Sequence, residues 1–421
     1  MPAIVVALVA VLSGAALVID RLWLDTAHAE LQTAAEAAAL AAGRELANDD
    51  LLRETFNPQS HVMKARFAAA RIAAENVAVG EPLLLKTDDD GDVRVGQLVV
   101  DDETGEVVFV EMDEKPTTVV VSTRRTNDRQ WPGNLPFRTL VGPNSADVVA
   151  IAEATLDNHV VGLRLVNDLP IPALPIAILA EAIAPLKPVS QQTQRPTARG
   201  RAIPTKPNSV KESAPMPTWK RDIEQRRGAD RFAFDSTEGT VDEEPDGIPE
   251  IVLRTVSPNS KVPDGNAFVV GLRADLTNDE LQRQIVAGWS ARDLESFGGE
   301  LMLDQGPLTL TGLRGIDAGT VGESLRQMIG QPRVCLLYDQ ADMSSNSHVA
   351  QLRCVGFVAG RVMLVTELSG NVIEIVLQPT VMTSRSAVVA SEVSGATDSP
   401  SADDDNDVAC NRYLYKLRLT N

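Results

Sequence analysis

The chain has 421 residues, 44% of them hydrophobic, which is material for two or three domains with real cores. A net charge of −19 argues against nucleic acid, whose phosphates need a basic footprint. The 4% aromatic content argues against a surface that stacks sugars or bases. Three cysteines, Cys335, Cys354 and Cys410, form no CxxC pair. Four histidines, His28, His61, His159 and His348, are widely scattered, which argues against a histidine-based metal or proton-transfer site.

The chain is organised around residues 4–46. From Ala3 to Ile19 no residue is charged, and Ser13 is the only polar side chain. With its flanks this run reaches the minimum length for a membrane-spanning helix, about 17–20 residues. The helical pattern then continues. Leu24, His28, Leu31, Ala35, Ala38, Ala42 and Leu46 recur at spacings of four and three, separated by good helix formers. The spacing predicts one helix of about 65 Å at about 1.5 Å per residue. Its first half is an anchor and its second presents a face of small residues, to the protein's own sheet or to a partner helix.

The residues Ala15-Ala16-Leu17-Val18-Ile19-Asp20 and Leu31-Gln32-Thr33-Ala34-Ala35-Glu36-Ala37-Ala38-Ala39-Leu40-Ala41-Ala42 resemble the N-terminal signature of TadG/TadE-like proteins of the Tad (tight adherence, Flp-type) pilus-assembly systems. Glu36 stands where that family usually has Asp. The resemblance implies a non-enzymatic, single-pass component of the cytoplasmic (inner) membrane, with the bulk of the chain periplasmic or extracellular. It implies a minor-pilin-like or assembly role, partnered by other pilus-assembly or pilin-like proteins, with Asp20, Leu31, Ala35, Ala38 and Ala42 as helix contacts and no cofactor. The alternative is a stand-alone envelope binding or adhesion protein that borrows the anchor.

A second helix is expected over 60–76, capped by Ser60 and striped by Val62, Phe67, Ala70 and Ala74. Strands follow at 93–100 and 106–112 about the turn Asp102-Glu103-Thr104-Gly105, then at 117–123, 147–156 and 160–166. Four prolines break the apolar run 169–186, which reads as a buried extended segment with a short helix at 176–183. Residues 187–247 are rich in Pro, Gln, Thr, Ser and Arg and read as a disordered linker. Beyond them, helices are expected at 277–289 and 320–329, and strands at 333–338, 350–359, 361–368 and 372–377. The acidic stretch 384–407 reads as disordered, and 410–419 as a last strand.

The fold class is therefore α+β: a transmembrane and stalk helix, an α+β head that the resemblance makes pilin-like, a linker and a mostly β domain. The expected boundaries are 1–24 for the anchor, 25–186 for stalk and head, 187–247 for the linker, 248–380 for the β domain, 381–408 for the acidic segment and 409–421 for the last strand. Asp88-Asp89-Asp90-Gly91-Asp92 fails as an EF-hand loop, because Lys86 and Gln97 occupy the first and last ligand offsets; it reads as a solvated turn. Asp342-Met343-Ser344-Ser345-Asn346 lacks the last Ser of a D-x-S-x-S metal motif. Glu300 and Asp304 are loose carboxylates with no geometry to make them an acid–base pair. A disulfide between Cys335 and Cys354, with Cys410 as the other partner to consider, is permitted if the domain lies outside the cytoplasm.

Overall fold

The computed structural model describes residues 2–101, 104–126, 146–181, 216–258, 260, 263–273, 276–314, 316–343, 349–393 and 410–420. It divides into two compact units, Met1–Val166 with Thr380–Asn421, and Asn167–Pro379. Both mix helices with sheets, as the order of predicted elements implied.

The first unit opens with helix α1, Pro2–Leu46, unbroken as its pattern requires. Helix α2, Pro58–Glu75, follows. Its cap is Asn57, not Ser60: the Asn57 side chain accepts the Ser60 N–H, and Pro58 occupies the first turn, where its missing donor costs nothing. The buried face of α2 is also turned from the expected stripe. His61, Val62, Ala65, Ala69 and Ala73 are buried, whereas Phe67 is 59% exposed. Alanine-rich helices have little contrast between faces, so one bulky residue misleads the reading of periodicity.

A six-stranded sheet receives both helices, in the order Met382–Thr383, Leu414–Thr420, Val148–Asp157, Thr118–Arg125, Val93–Val100, Val107–Glu111. All neighbours are antiparallel except the first two. One core holds Leu31, Ala35, Ala38, Ala42 and Leu46 of α1, Val62, Ala65, Ala69 and Ala73 of α2, and Val119, Val121, Ala152 and Ala154 of the sheet. Small residues let the helices approach the sheet closely. At Gly43 an added Cβ would lie 2.7 Å from Leu417 Cδ1. The Thr123 hydroxyl donates to the Leu31 carbonyl at 3.1 Å, a buried polar tie between sheet and helix.

The second unit carries a seven-stranded sheet. Five of its strands close into a ring: Val349–Leu368, Leu308–Leu313, Ala267–Gly271, Ala173–Leu179 and Pro332–Asp342, the last pairing back to the first. Val372–Pro379 and Ile251–Arg254 extend it. Ala173–Leu179 and Pro332–Asp342 are the parallel pair. The short helix expected at 176–183 is instead the buried strand Ala173–Leu179, every residue of which is buried. It shows no alternation because both faces are covered. Pro175 falls at a register shift in the ladder, where a missing N–H does least harm.

Two helices cover this ring's flank. Helix α3, Asn278–Ala287, starts on a reciprocal capping box between Thr277 and Glu280. It ends at Gly288, where φ is +87° and an added Cβ would lie 2.0 Å from the Ile171 carbonyl oxygen. Helix α4 spans Ala318–Arg326. The strands expected at 350–359 and 361–368 are one twenty-residue strand.

The boundaries need three corrections. The expected linker 187–247 is folded from 216 onward; its first part, through 215, lies outside the described residues. Trp219 and Phe232 are buried, and Ala233–Asp235 pairs with Thr240–Asp242. Phe234 receives the Arg361 guanidinium 4.2 Å from its ring centre. A few large side chains thus anchor a polar stretch. Second, Ala173–Leu179 belongs to the second unit, not to the head. Third, the stretch expected to be disordered from 381 contains the strands Met382–Thr383 and Ala387–Val389 of the first unit; residues 394–409 lie outside the described residues.

Candidate functional site

Helix α1 has two surfaces. Eleven large apolar side chains between Ile4 and Leu22 are 45–71% exposed. A contiguous apolar surface of that kind is rare on a soluble monomer and is typical of a membrane or protein contact. The helix is long and apolar enough to cross a membrane. Within this half, Ala16 and Asp20 are buried. They begin the seam that continues through Ala27 and Leu31.

The second surface is already occupied. Leu31, Ala35, Ala38 and Ala42 are fully buried in the head's own core. The spacing left the protein's own sheet or a partner helix as their neighbour, and the resemblance implied a partner; in this fold α2 and the sheet cover them. A partner approaching α1 in this fold meets the apolar residues from Ile4 to Leu22 instead.

The disulfide permitted between Cys335 and Cys354 is not formed. Cys335 and Cys354 lie on neighbouring strands, but Cys335 faces Val358 and Cys354 faces Tyr338 across the ladder. That offset puts the two well beyond the separation of about 7 Å that a disulfide bridges. Both are buried free thiols, and burial pushes each up to about 12. They are inert core residues.

The acidic turn is held by cations of the fold. Arg66 meets Asp89 at 2.5 Å, and Arg124 lies 3.3 Å from the buried Asp92. Asp92 also accepts the Lys86 N–H at 2.9 Å, closing the turn. Among the described residues no group of His, Cys, Asp and Glu is placed to hold a metal ion. Residues 344–348 of the D-x-S-x-S-like string lie outside the described residues. Glu300 and Asp304 are both exposed. A cavity of about 10 Å³ in the second unit, no larger than a water molecule needs, is lined by apolar groups such as Ile176, Val269, Ile285 and Ile373, with Thr255 the polar side chain. It lacks the convergent polar groups of a catalytic pocket.

One constellation escaped the sequence reading. Asp157-Asn158-His159 joins the strands Val148–Asp157 and Val160–Arg164. His159 Nδ1 lies 3.2 Å from Asp157 Oδ1, and Nε2 lies 3.4 Å from the exposed Cys410 sulfur. The local signal was an Asp and a His two apart at a strand turn. The thiol is 251 positions away, and nothing in the sequence links it to them.

Comparison with family models, characterised proteins and solved structures gives no match to this chain.

Proposed function

We propose that the protein is a non-enzymatic, membrane-anchored component of a Tad/Flp-type pilus-assembly system, in a minor-pilin-like or assembly role. Its anchor lies in the cytoplasmic membrane and its two folded units lie on the periplasmic or extracellular side. The observation that carries this reading is the division of α1: an exposed apolar half in line with an alanine half that forms the spine of an antiparallel head. A subunit built this way is held laterally in the bilayer and delivers its head outward. Its apolar half then serves both lipid and neighbouring helices, where small and apolar side chains pack by shape rather than by hydrophobic gain. The N-terminal signature around Asp20 and Leu31–Ala42 adds the family resemblance.

A stand-alone envelope module is the second reading. What favours it is that the alanine seam is filled by the protein's own sheet, which leaves fewer residues for assembly contacts.

The test is a photoreactive residue at Leu12, 59% exposed, in intact cells, with membranes separated from sheared surface filaments. Crosslinks to pilins or pilus-platform proteins are expected. A membrane-bound protein that crosslinks only to lipid moves the conclusion to the stand-alone module, and recovery in the soluble fraction overturns the anchor itself.

A further inference from the structure

Cys410 differs from the other two thiols in exposure and in its neighbours. It is exposed, and it sits against a histidine whose far nitrogen meets a carboxylate. A carboxylate at Nδ1 selects the tautomer that carries the proton there, and Nε2 is then the nitrogen that faces the sulfur. Asp157 Oδ1 also accepts the His159 backbone N–H at 3.0 Å. Its Oδ2 accepts the Ser391 hydroxyl at 3.4 Å and lies 3.7 Å from Arg418. Burial alone would raise this carboxyl, but the His159 ring and backbone contacts outweigh it and hold it below the ordinary range. It is therefore an anion at neutral pH, able to orient the ring and to stabilise the imidazolium.

The scaffold fixes this arrangement from both ends. The Asn411 N–H donates to the Asn158 carbonyl at 2.8 Å, tying the residue after the thiol to the residue before the histidine. Asn411 Oδ1 accepts the N–H groups of Tyr413 and Leu414 at 2.9 Å each. The Ala390 N–H donates to the His159 carbonyl at 2.9 Å.

We infer that Cys410 is an activated thiol, with His159 as its base and Asp157 as the positioning residue, and that its substrate class is the disulfide bond. The thiol passes its proton to His159 Nε2. The sulfur lone pair attacks one sulfur of the incoming disulfide; the new S–S bond forms as the old one breaks. The departing sulfur leaves as a thiolate and takes the proton from Nε2. A thiol and a disulfide become a mixed disulfide and a new thiol, with no other reactant.

Two alternatives fit the geometry less well. Acyl transfer needs backbone donors for an oxyanion, and the N–H that follows the nucleophile is already given to Asn158. A metal site needs donors that converge, whereas Cys410 and Asp157 lie at opposite nitrogens of one ring. The inference is independent of the pilus reading, since it rests on the head alone.

The test uses the full-length protein in detergent with glutathione disulfide as probe at pH 7, and follows the mixed disulfide by intact mass and peptide mapping. Modification at Cys410, with Cys335 and Cys354 untouched, is expected. His159→Gln should slow it about tenfold or more, as loss of a positioned base does, and Asp157→Asn by a smaller factor. In His159→Gly, added free imidazole should restore the rate, a recovery that a merely structural histidine would not give. Because a variant can fail to fold, the wild type is also compared with itself in urea: the native Cys410 should react faster than the unfolded one. An equal or slower native rate overturns the inference, as does a His159→Gln rate equal to wild type.

Discussion

The buried carboxylate of Asp293 illustrates how single residues hold the second unit together. It is fully buried, yet every lone pair is used. Both oxygens meet Arg283 at 2.6 Å, and Gln284 and the Ser290 N–H and hydroxyl donate at 2.8 Å each. Burial alone would raise this carboxyl; the Ser290, Arg283 and Gln284 donors outweigh it and bring it below the ordinary range. Its folded value is depressed, so its contribution to stability is complete above the unfolded value near pH 4 and fades as the pH falls through the folded value. Asp293→Ala should cost about 3 kcal/mol at pH 7, the low end for breaking a buried pair because Arg283 remains partly exposed. Urea titration at several pH values checks this: the variant should lose less stability than wild type between about pH 5 and 3. Residues of this kind are the least legible in a sequence. Nothing marks Asp293 apart from the other acidic side chains until the chain folds Arg283 and Gln284 onto it. The same is true of Cys410, whose neighbours come from a turn on another strand.

Elements were more legible where their period was strong. The helix over 4–46 and the hairpin from 93 to 112 follow from apolar spacing and the Gly105 turn, in which Asp101 Oδ1 accepts the Thr104 N–H. The pattern failed where burial had no contrast: in α2, where alanines line most faces, and in Ala173–Leu179, where a strand covered on both sides looks like any apolar run. The pattern also left open what the alanine seam touches, and the core answers that it touches the head's own sheet. Ala38→Phe therefore acts within the head. Adding a ring to a filled interface should destabilise the first unit by about 1–3 kcal/mol or more while leaving the second unit's unfolding unchanged. Limited proteolysis with mapped cleavage sites separates the two. Unchanged protection of the first unit would show that α1 can leave the sheet without loss, and would return the seam to a partner.

At the scale of the whole molecule the chain order and the fold do not coincide. The sequence reads as anchor, head, linker, β domain and tail in succession. In the structure the second unit is one continuous stretch inserted into the first, whose sheet is completed by Leu414–Thr420 beside Val148–Asp157. Hydroxyls of Thr118, Thr155 and Thr420 meet at 3.2 and 3.1 Å across three adjacent strands. Composition cannot reveal such an insertion, since pairing partners 265 positions apart carry no mark of each other. Residues 167–379 expressed alone should fold cooperatively, because every strand of the closed ring lies within them. Removing residues 410–421 should unfold the first unit by stripping a strand from its sheet. Circular dichroism melts of both truncated forms check this, and a first unit that melts as before would mean the last strand is an ornament to the sheet.

This insertion also sets an order of events during synthesis. The long helix and four of the six strands of the head's sheet leave the ribosome early, and the strand that seals them arrives more than two hundred residues afterwards. Loop closure of that span is slow relative to the local pairing within the inserted unit. The inserted unit can therefore mature while the head waits with the edge of Val148–Asp157 open. Until translation has passed residue 420, the nascent head is the vulnerable part of the chain, and it is the part that a holding chaperone would have to shield.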